Sequence, residues 1–440
     1  MNWRFGLVDY HTASLLCAGL MLFLLIIGVP IAYALGLSSV IIGYMAFGGF
    51  ALQKAGWTTF QLLYNLTWTP LPLFTLMSFI IAETAMGEHL FRTARNWLSR
   101  LPGGLIVAGI MGEAGMAAAL GASGPTIIAV GNVAVPEYER YSYNKALGLG
   151  ALTCGGVLGP LIPPSATMII FAILGNVPLG RLFMAGVIPG ILLAVMLSLV
   201  PIILCARNPE LGRSAGMVSW TERFSSLKLI WPIVLVMFGI LGSIYFGIAT
   251  PTEAGGVGCF IVLVVAVLFF KLNLSGLYRA MVQTAVLNAT ILIIMVSASF
   301  FTYVFGSSAI AQKLSLLVVS MNLPPLAVII AIMLFLLFLG CIIDGITIMM
   351  LTIPIFMPII TDLGFDPLWF GILFVVNMEI ALITPPMGIN FFLVRNNFNI
   401  GSMELLKGVW PFLIVLVLFL GIMVAFTQLC LWLPGMMIGK

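Results

Sequence analysis

Two stretches of this chain, GVLGPLIPPSATMII (Gly156 to Ile170) and IALITPPMGINFFLV (Ile380 to Val394), each set a Pro-Pro pair inside an apolar segment. Proline lacks an amide donor and its ring clashes with the preceding turn, so each pair unwinds a helix and frees carbonyl oxygens. In hydrocarbon such oxygens need a partner. A dehydrated cation at a half-helix C-terminus is one, and neighbouring helices or water are the other. Two glycine-rich stretches complement the breaks: LGASGPTII (Leu120 to Ile128), with the hydroxyls of Ser123 and Thr126, and CIIDGITIMM (Cys341 to Met350), with the Asp344 carboxylate and the Thr347 hydroxyl. Oxygen ligands without thiols or imidazoles suit a hard cation, and sparse formal charge suits a monovalent one, which makes sodium the expected ion. Asn377 and Asn390 flank the second break and offer amides.

Three acids stand in apolar surroundings, where an ionised carboxylate is expensive and usually functional. Asp344 is one; a protonated or paired structural acid is its alternative. Glu113 and Glu379 are the others, each open to a proton-coupled site, a substrate contact or a group facing a watery cavity, with the cavity favoured. Arg395 closes its broken helix on the basic side and is explained by that placement. An anionic substrate fits better at the N-termini of the half helices, where free amides and the dipole favour negative charge.

The elements that position these residues are membrane helices. The chain has 440 residues, 62% hydrophobic and 7% charged, with a mean hydropathy of +1.21. That composition belongs in a bilayer, and the length allows roughly ten crossings of about 20 residues each. The first apolar stretch, 13–35, reads as a crossing, being too long for a signal peptide and lacking a basic start. The six cysteines are scattered without paired spacing, and His11 and His89 are the two histidines, which leaves no metal cluster and no zinc or haem site. The net charge of +4 matters less than its placement, and no nucleic-acid partner is implied.

Apolar runs mark crossings near 13–35, 38–53, 66–85, 145–175 (broken), 182–205, 229–248, 254–270, 284–305, 367–394 (broken) and 408–433. Segments 104–138 and 325–360 are interrupted by Gly121 to Pro125 and by Asp344-Gly345, and read as re-entrant hairpins. Sliding the sequence against itself by 222 residues pairs Pro102 with Pro324, Pro136 with Pro358, Pro163 with Pro385, Pro164 with Pro386 and Pro189 with Pro411. It also pairs GVIP (Gly186 to Pro189) with GVWP (Gly408 to Pro411), so the chain is a tandem duplication. Residues 1–222 and 223–440 form the two repeats, each with about five crossings, and an odd number inverts the second copy. Inverted repeats with matched broken helices are the architecture of alternating-access transporters. With the N-terminus outside, thirteen of the eighteen Lys and Arg residues fall on the cytoplasmic side, as the positive-inside rule demands. Amphipathic stretches at 87–102 and 307–324 are expected to lie along the membrane surface as arms.

The stretches GIATPTEAGGVG (Gly247 to Gly258), LGPLIPPSATMIIFAILG (Leu158 to Gly175), LFMAGVIPG (Leu182 to Gly190) and NMEIALITPPMGINFF (Asn377 to Phe392) resemble the large membrane subunit of TRAP, the tripartite ATP-independent periplasmic transporters. The resemblance spans both halves. It implies an all-α polytopic fold, an elevator-type mechanism, coupling to two or more Na+ ions at the hairpin-and-break sites, and a multi-pass protein of the bacterial inner membrane with periplasmic termini. It further implies two partners: a small four-helix membrane subunit and a periplasmic substrate-binding protein that delivers a small organic anion. The expected sodium set is Gly121, Ser123, Thr126, Gly155 and Pro163 with Asp344, Thr347, Thr384 and Pro385. The expected substrate set is Ser123, Gly124, Pro164 and Ser165 with Gly345, Asn377, Pro386, Gly388 and Asn390. Family tips usually read Ser-Gly-Ser where this chain has Ser123-Gly124-Pro125, and small residues commonly stand where Glu379 does. A stand-alone sodium/dicarboxylate-type symporter is the alternative within transport. An intramembrane hydrolase is the remote one, although the chain lacks HExxH and has one intramembrane Asp. No nucleotide is expected, since no GxxxxGK[ST] is present.

Overall fold

The computed structural model describes residues 9–214, 216, 218–306, 320, 323–341, 343–385 and 388–437. Among them every extended regular element is a helix. Six helices are long and apolar enough to cross a bilayer, and two bent helix pairs pass the same test together. The chain is an all-α multi-pass membrane protein.

The first apolar run departs from expectation. Instead of one crossing over 13–35 there are two helices, α1 (Tyr10–Ile26) and α2 (Ile31–Phe47). Gly28 adopts a positive φ of 87° and Pro30 caps α2, so the chain turns where hydropathy alone runs on. After Gly48, α3 (Gly49–Leu63) and α4 (Pro70–Ala82) form a pair bent by 53°. The first arm is α5 (Met86–Leu98), and the first hairpin is α6 (Gly104–Leu120) with α7 (Ser123–Arg140). The first broken helix comprises α8 (Lys145–Gly155), α9 (Leu158–Leu161) and α10 (Ala166–Leu174), bent by 47° at the twin prolines. A long helix, α11 (Leu179–Arg207), closes this half.

The second half begins with α12 (Trp220–Tyr245), α13 (Pro251–Phe270) and α14 (Leu274–Gly306). The GIATPTEAGGVG stretch is a helix start: Thr250 and Glu253 form a capping box around Pro251, and Gly255 and Gly258 let α13 close on Phe74 and Ile240. The expected second arm at 307–324 lies almost wholly outside the described residues. The second hairpin is α15 (Pro325–Gly340) with α16 (Gly345–Asp362), and the second broken helix is α17 (Pro367–Ile383) with α18 (Ile389–Phe398). The last crossing, α19 (Ser402–Ala425), ends before 433, and the separate α20 (Gln428–Gly435) completes the chain.

Hairpin, broken helix and long helix thus recur in one order. Lys145 and Pro367 open the broken helices and Leu161 and Ile383 close their first parts, both pairs at the offset that aligns the prolines. The α1 to α4 and α12 to α14 helices pack together: a Cβ on Gly36 of α2 would stand 3.2 Å from Ser297 Oγ of α14, Asn288 of α14 donates to Thr75 Oγ1 of α4 at 2.8 Å, and Arg279 pairs with Glu83 at 2.6 Å. Hairpins and broken helices form the more deeply buried group. There, α10 packs on α16 and α18 on α7, so the outer part of each broken helix rests on the opposite half's hairpin.

Candidate functional site

At the first hairpin tip Gly121 caps α6 in the left-handed region, with φ 61° and ψ 15°. A Cβ there would stand 2.5 Å from the Pro164 carbonyl oxygen and 3.1 Å from Ser165 Cα. Across the same contact, a Cβ on Gly159 would stand 2.6 Å from the Ala122 oxygen and 3.0 Å from the Ser123 nitrogen. Tip and break therefore touch backbone to backbone, which only glycine permits. Ile162 (φ −86°, ψ 118°) and Ser165 (φ −133°, ψ 131°) are extended at the break, where the ladder of α9 ends at the Ile162 amide and that of α10 starts at the Ser165 carbonyl. Ser165 Oγ accepts the Met168 amide at 3.3 Å and so caps α10. Thr126 Oγ1 donates to the Ala122 oxygen at 2.7 Å, so its proton is spent within its own turn and its lone pairs remain available.

Ser123 reaches across the repeats. Its Oγ lies 3.4 Å from Asn390 Oδ1, and Asn390 Nδ2 donates to Glu379 Oε2 at 3.3 Å. All three side chains are buried, at 8%, 3% and 1% exposure. Glu379 thus faces no watery cavity, contrary to expectation, and is tied through α18 to the first hairpin. Glu113 departs from the same expectation. It is fully buried, neither carboxyl oxygen has a hydrogen-bond partner among the described residues, and Oε2 lies against Gly155. Gly155 accordingly faces α6 at Glu113.

At the second tip Asp344 caps α16: its carboxylate accepts the Thr347 amide at 3.2 Å and the Thr347 hydroxyl at 2.7 Å. Asp344 is therefore a half-buried acid hydrogen-bonded within its own cap. It lines a cavity of about 410 Å³ with Ile343, Ile389 and the α1–α2 residues Leu22, Ile26 and Ile31. That volume is in the range of small-solute sites. Gly345 presses on Met378 and Gly340 on Ala381, seating this tip on α17 ahead of the break. At the break Thr384 is half-buried and donates to the Ile380 oxygen at 2.7 Å, Pro385 is exposed, and Gly388 is buried. Pro386 lies outside the described residues. Asn377 is not at the break: its Nδ2 donates to the Met333 oxygen at 3.0 Å, and it lines an apolar groove with Leu326, Ile330 and Val417. A larger cavity of about 710 Å³ between α3, α4 and α14 is lined by Asn288 and by none of the expected sodium or substrate residues.

Gly186 and Gly408, the glycines of GVIP and GVWP, also have a role that sequence showed only as repetition. A Cβ on Gly186 would meet the Leu161 oxygen at 2.5 Å, and Gly408 touches the backbone of α8 at Ala146.

Residues 18–429 match the family of the tripartite ATP-independent periplasmic transporter, DctM component. The chain belongs to the DctM family. Its members are transporter permeases, which removes the hydrolase alternative. This DctM-family chain is 30% identical over 439 residues to the C4-dicarboxylate TRAP transporter large permease protein DctM of Vibrio cholerae serotype O1, covering 94% of this chain and 96% of that one. It is also 30% identical to the ectoine TRAP transporter large permease protein TeaC of Halomonas elongata, covering 94% of this chain and 97% of the relative. In three dimensions it resembles the Alcanivorax borkumensis YdaH transporter, with a TM-score of 0.62 at 14% identity, over 97% of this chain and all of that one. The last likeness speaks to fold alone.

Proposed function

We propose that this DctM-family chain is the translocating subunit of a sodium-coupled, binding-protein-dependent importer of a small organic anion, a carboxylate or sulfonate. The observation that carries the reading is the seating of the Gly121 tip on the Pro163-Pro164 break. There, the extended backbone of the break meets the Ala122 oxygen and the Ser123 amide of the tip, and Thr126 donates to that same Ala122 oxygen. Such a junction is rich in oxygen and poor in formal charge, which suits sodium. The Asp344–Thr347 tip is its counterpart in the second repeat, offering the Asp344 carboxylate and the Thr347 hydroxyl to a second sodium ion beside the 410 Å³ cavity.

Hairpins and broken helices would move as one body past α1–α4 and α12–α14, an elevator movement between inverted repeats. A potential of 100 mV contributes about 2.3 kcal/mol per net charge moved, so two or more sodium ions drive accumulation of a monoanion. The reading places the chain in a bacterial inner membrane with periplasmic termini, beside a small four-helix membrane subunit and a periplasmic binding protein. The relatives named for C4-dicarboxylates and for ectoine support a small polar cargo. Reconstitution of the chain with its small subunit and binding protein in proteoliposomes tests it: accumulation must follow an inward sodium gradient. Equal uptake in sodium-free medium ends the proposal.

A further inference from the structure

On the face that carries most of the arginines, a pocket of about 370 Å³ opens between the arm helix α5 and the first turns of α12. Its polar wall is made by Arg92, Arg95, Asn96, Glu222, Ser225 and Ser226. Asn96 is 8% exposed, and its side-chain amide opens onto the pocket. Arg92 is exposed and forms no ion pair among them. Arg95 is held at 2.7 Å by Glu137, a carboxylate that Arg140 also approaches at 3.6 Å, so one negative charge answers two guanidinium groups. Glu222 Oε2 accepts the Ser219 amide and hydroxyl in the α12 capping box, neutral donors that leave its negative charge to offset part of that of the arginines. Next to it in sequence, Arg223 is buried with Nε and Nη2 unpartnered, its guanidinium 5.0 Å over the Trp220 ring. Arg92, Arg95, Arg140 and Arg223 thus outnumber Glu137 and Glu222, and the Arg223 nitrogens are buried without a partner, a surplus of guanidinium that asks for an anion with acceptor oxygens.

The surroundings say which anion. Trp220 and Phe224 stand 58% and 57% exposed beside the pocket, and Trp97 meets Phe224 edge to face at 5.7 Å. Exposed aromatic rings of this kind mark headgroup depth, and a basic pocket between helices at that depth is matched to a lipid phosphate. We infer that the α5–α12 pocket binds the phosphodiester headgroup of an anionic phospholipid. Thr93 Oγ1 donates to the Ser226 oxygen at 3.0 Å and Trp97 Nε1 to the Arg223 oxygen at 3.2 Å, so the lipid sits beside an existing seam. It holds the arm against α12 on one side while α5 leads directly into the first hairpin on the other. The site stands apart from sodium coupling and survives if that reading fails.

The test uses the purified, delipidated full-length chain. Its thermal unfolding is followed with phosphatidylglycerol, with phosphatidylcholine and with inorganic phosphate. Phosphatidylglycerol raises the midpoint, and the other two leave it in place. Arg92→Gln raises the phosphatidylglycerol mole fraction needed for half the shift about fivefold, the effect expected for one basic residue near a membrane surface. Ser225→Asp, on an exposed position, abolishes the shift while its lipid-free midpoint matches that of the parent chain. Equal stabilisation by phosphatidylcholine, a full shift with inorganic phosphate, or an unchanged response in Ser225→Asp overturns the inference. Absence of any preference for the anionic lipid does so too, and would point to an acidic segment of a protein partner.

Discussion

Replacing Gly121 by alanine tests the contact between hairpin tip and break. The added methyl carries two penalties. A residue with a Cβ in the left-handed region costs about 1–2 kcal/mol, and Gly121 sits there at φ 61°. The methyl would also lie 2.5 Å from the Pro164 oxygen, a backbone atom that cannot swing aside as a side chain would. Overpacking of that kind costs typically about 1–3 kcal/mol. Alanine recovers a little by restricting the unfolded chain, so the net loss is about 2–4 kcal/mol. At 1.4 kcal/mol per factor of ten, the seated tip becomes about 30 to 1,000 times less populated relative to an unseated one. Sodium titration of uptake in proteoliposomes reads this directly: half-saturation rises at least tenfold, while the thermal midpoint in detergent falls by a few degrees. Gly239→Ala is the control, because nothing lies within 4 Å of a Cβ at that position. If Gly121→Ala transports with the parent's sodium half-saturation and midpoint, the tip is not seated on the break and the ion site is elsewhere.

Further outcomes follow from the second half and the arm. Asp344→Ala loses the α16 cap and about 1 kcal/mol of stability, whereas Asp344→Ser restores the cap; both lose sodium dependence if the carboxylate also serves the ion, and thermal melts beside uptake separate the two roles. Asn390→Ala leaves the buried Glu379 carboxylate without its amide donor and destabilises by about 1–3 kcal/mol, while Glu379→Gln combined with it recovers most of the loss in a double-mutant cycle of melting midpoints. His89 on α5 has a buried Nδ1 without a partner and an edge-to-face contact with Phe270, and burial lowers its pKa from the ordinary 6.5. The unfolded chain then takes up a proton before the folded one, so stability falls as pH drops below about 6.5, and His89→Phe removes that increment from the pH profile of the melt.

The parts of the site visible in sequence were those with a backbone cause. Pro163-Pro164 and Pro385-Pro386 cannot sit in a helical ladder, so their breaks were legible from composition alone. The first glycine tip was legible for a similar reason, since Gly121 stands where a positive φ is required. What stayed hidden depended on contacts made in three dimensions. Ser123 and Asn390 are 267 residues apart, and no periodicity joins them. Asn377 lies near the break in sequence, but helical rotation turns it to the Met333 oxygen and away from Asn390. Glu113 carried the signal of an intramembrane acid, yet nothing in the sequence said that Gly155 is the surface it rests on. The first helices were misjudged because hydropathy averages over Gly28 and Pro30, two residues that turn the chain without interrupting its apolar run.

At Gly150 and Gly408 the backbones of α8 and α19 come together with no side chain between them. One belongs to the first repeat's broken helix, the other to the second repeat's closing helix. A joint of bare main chain has no side chain that can change rotamer and let one partner advance alone. If the proposed movement occurs, whatever displaces the first twin-proline gap carries the closing helix of the other half with it, and both gaps shift in a single stroke.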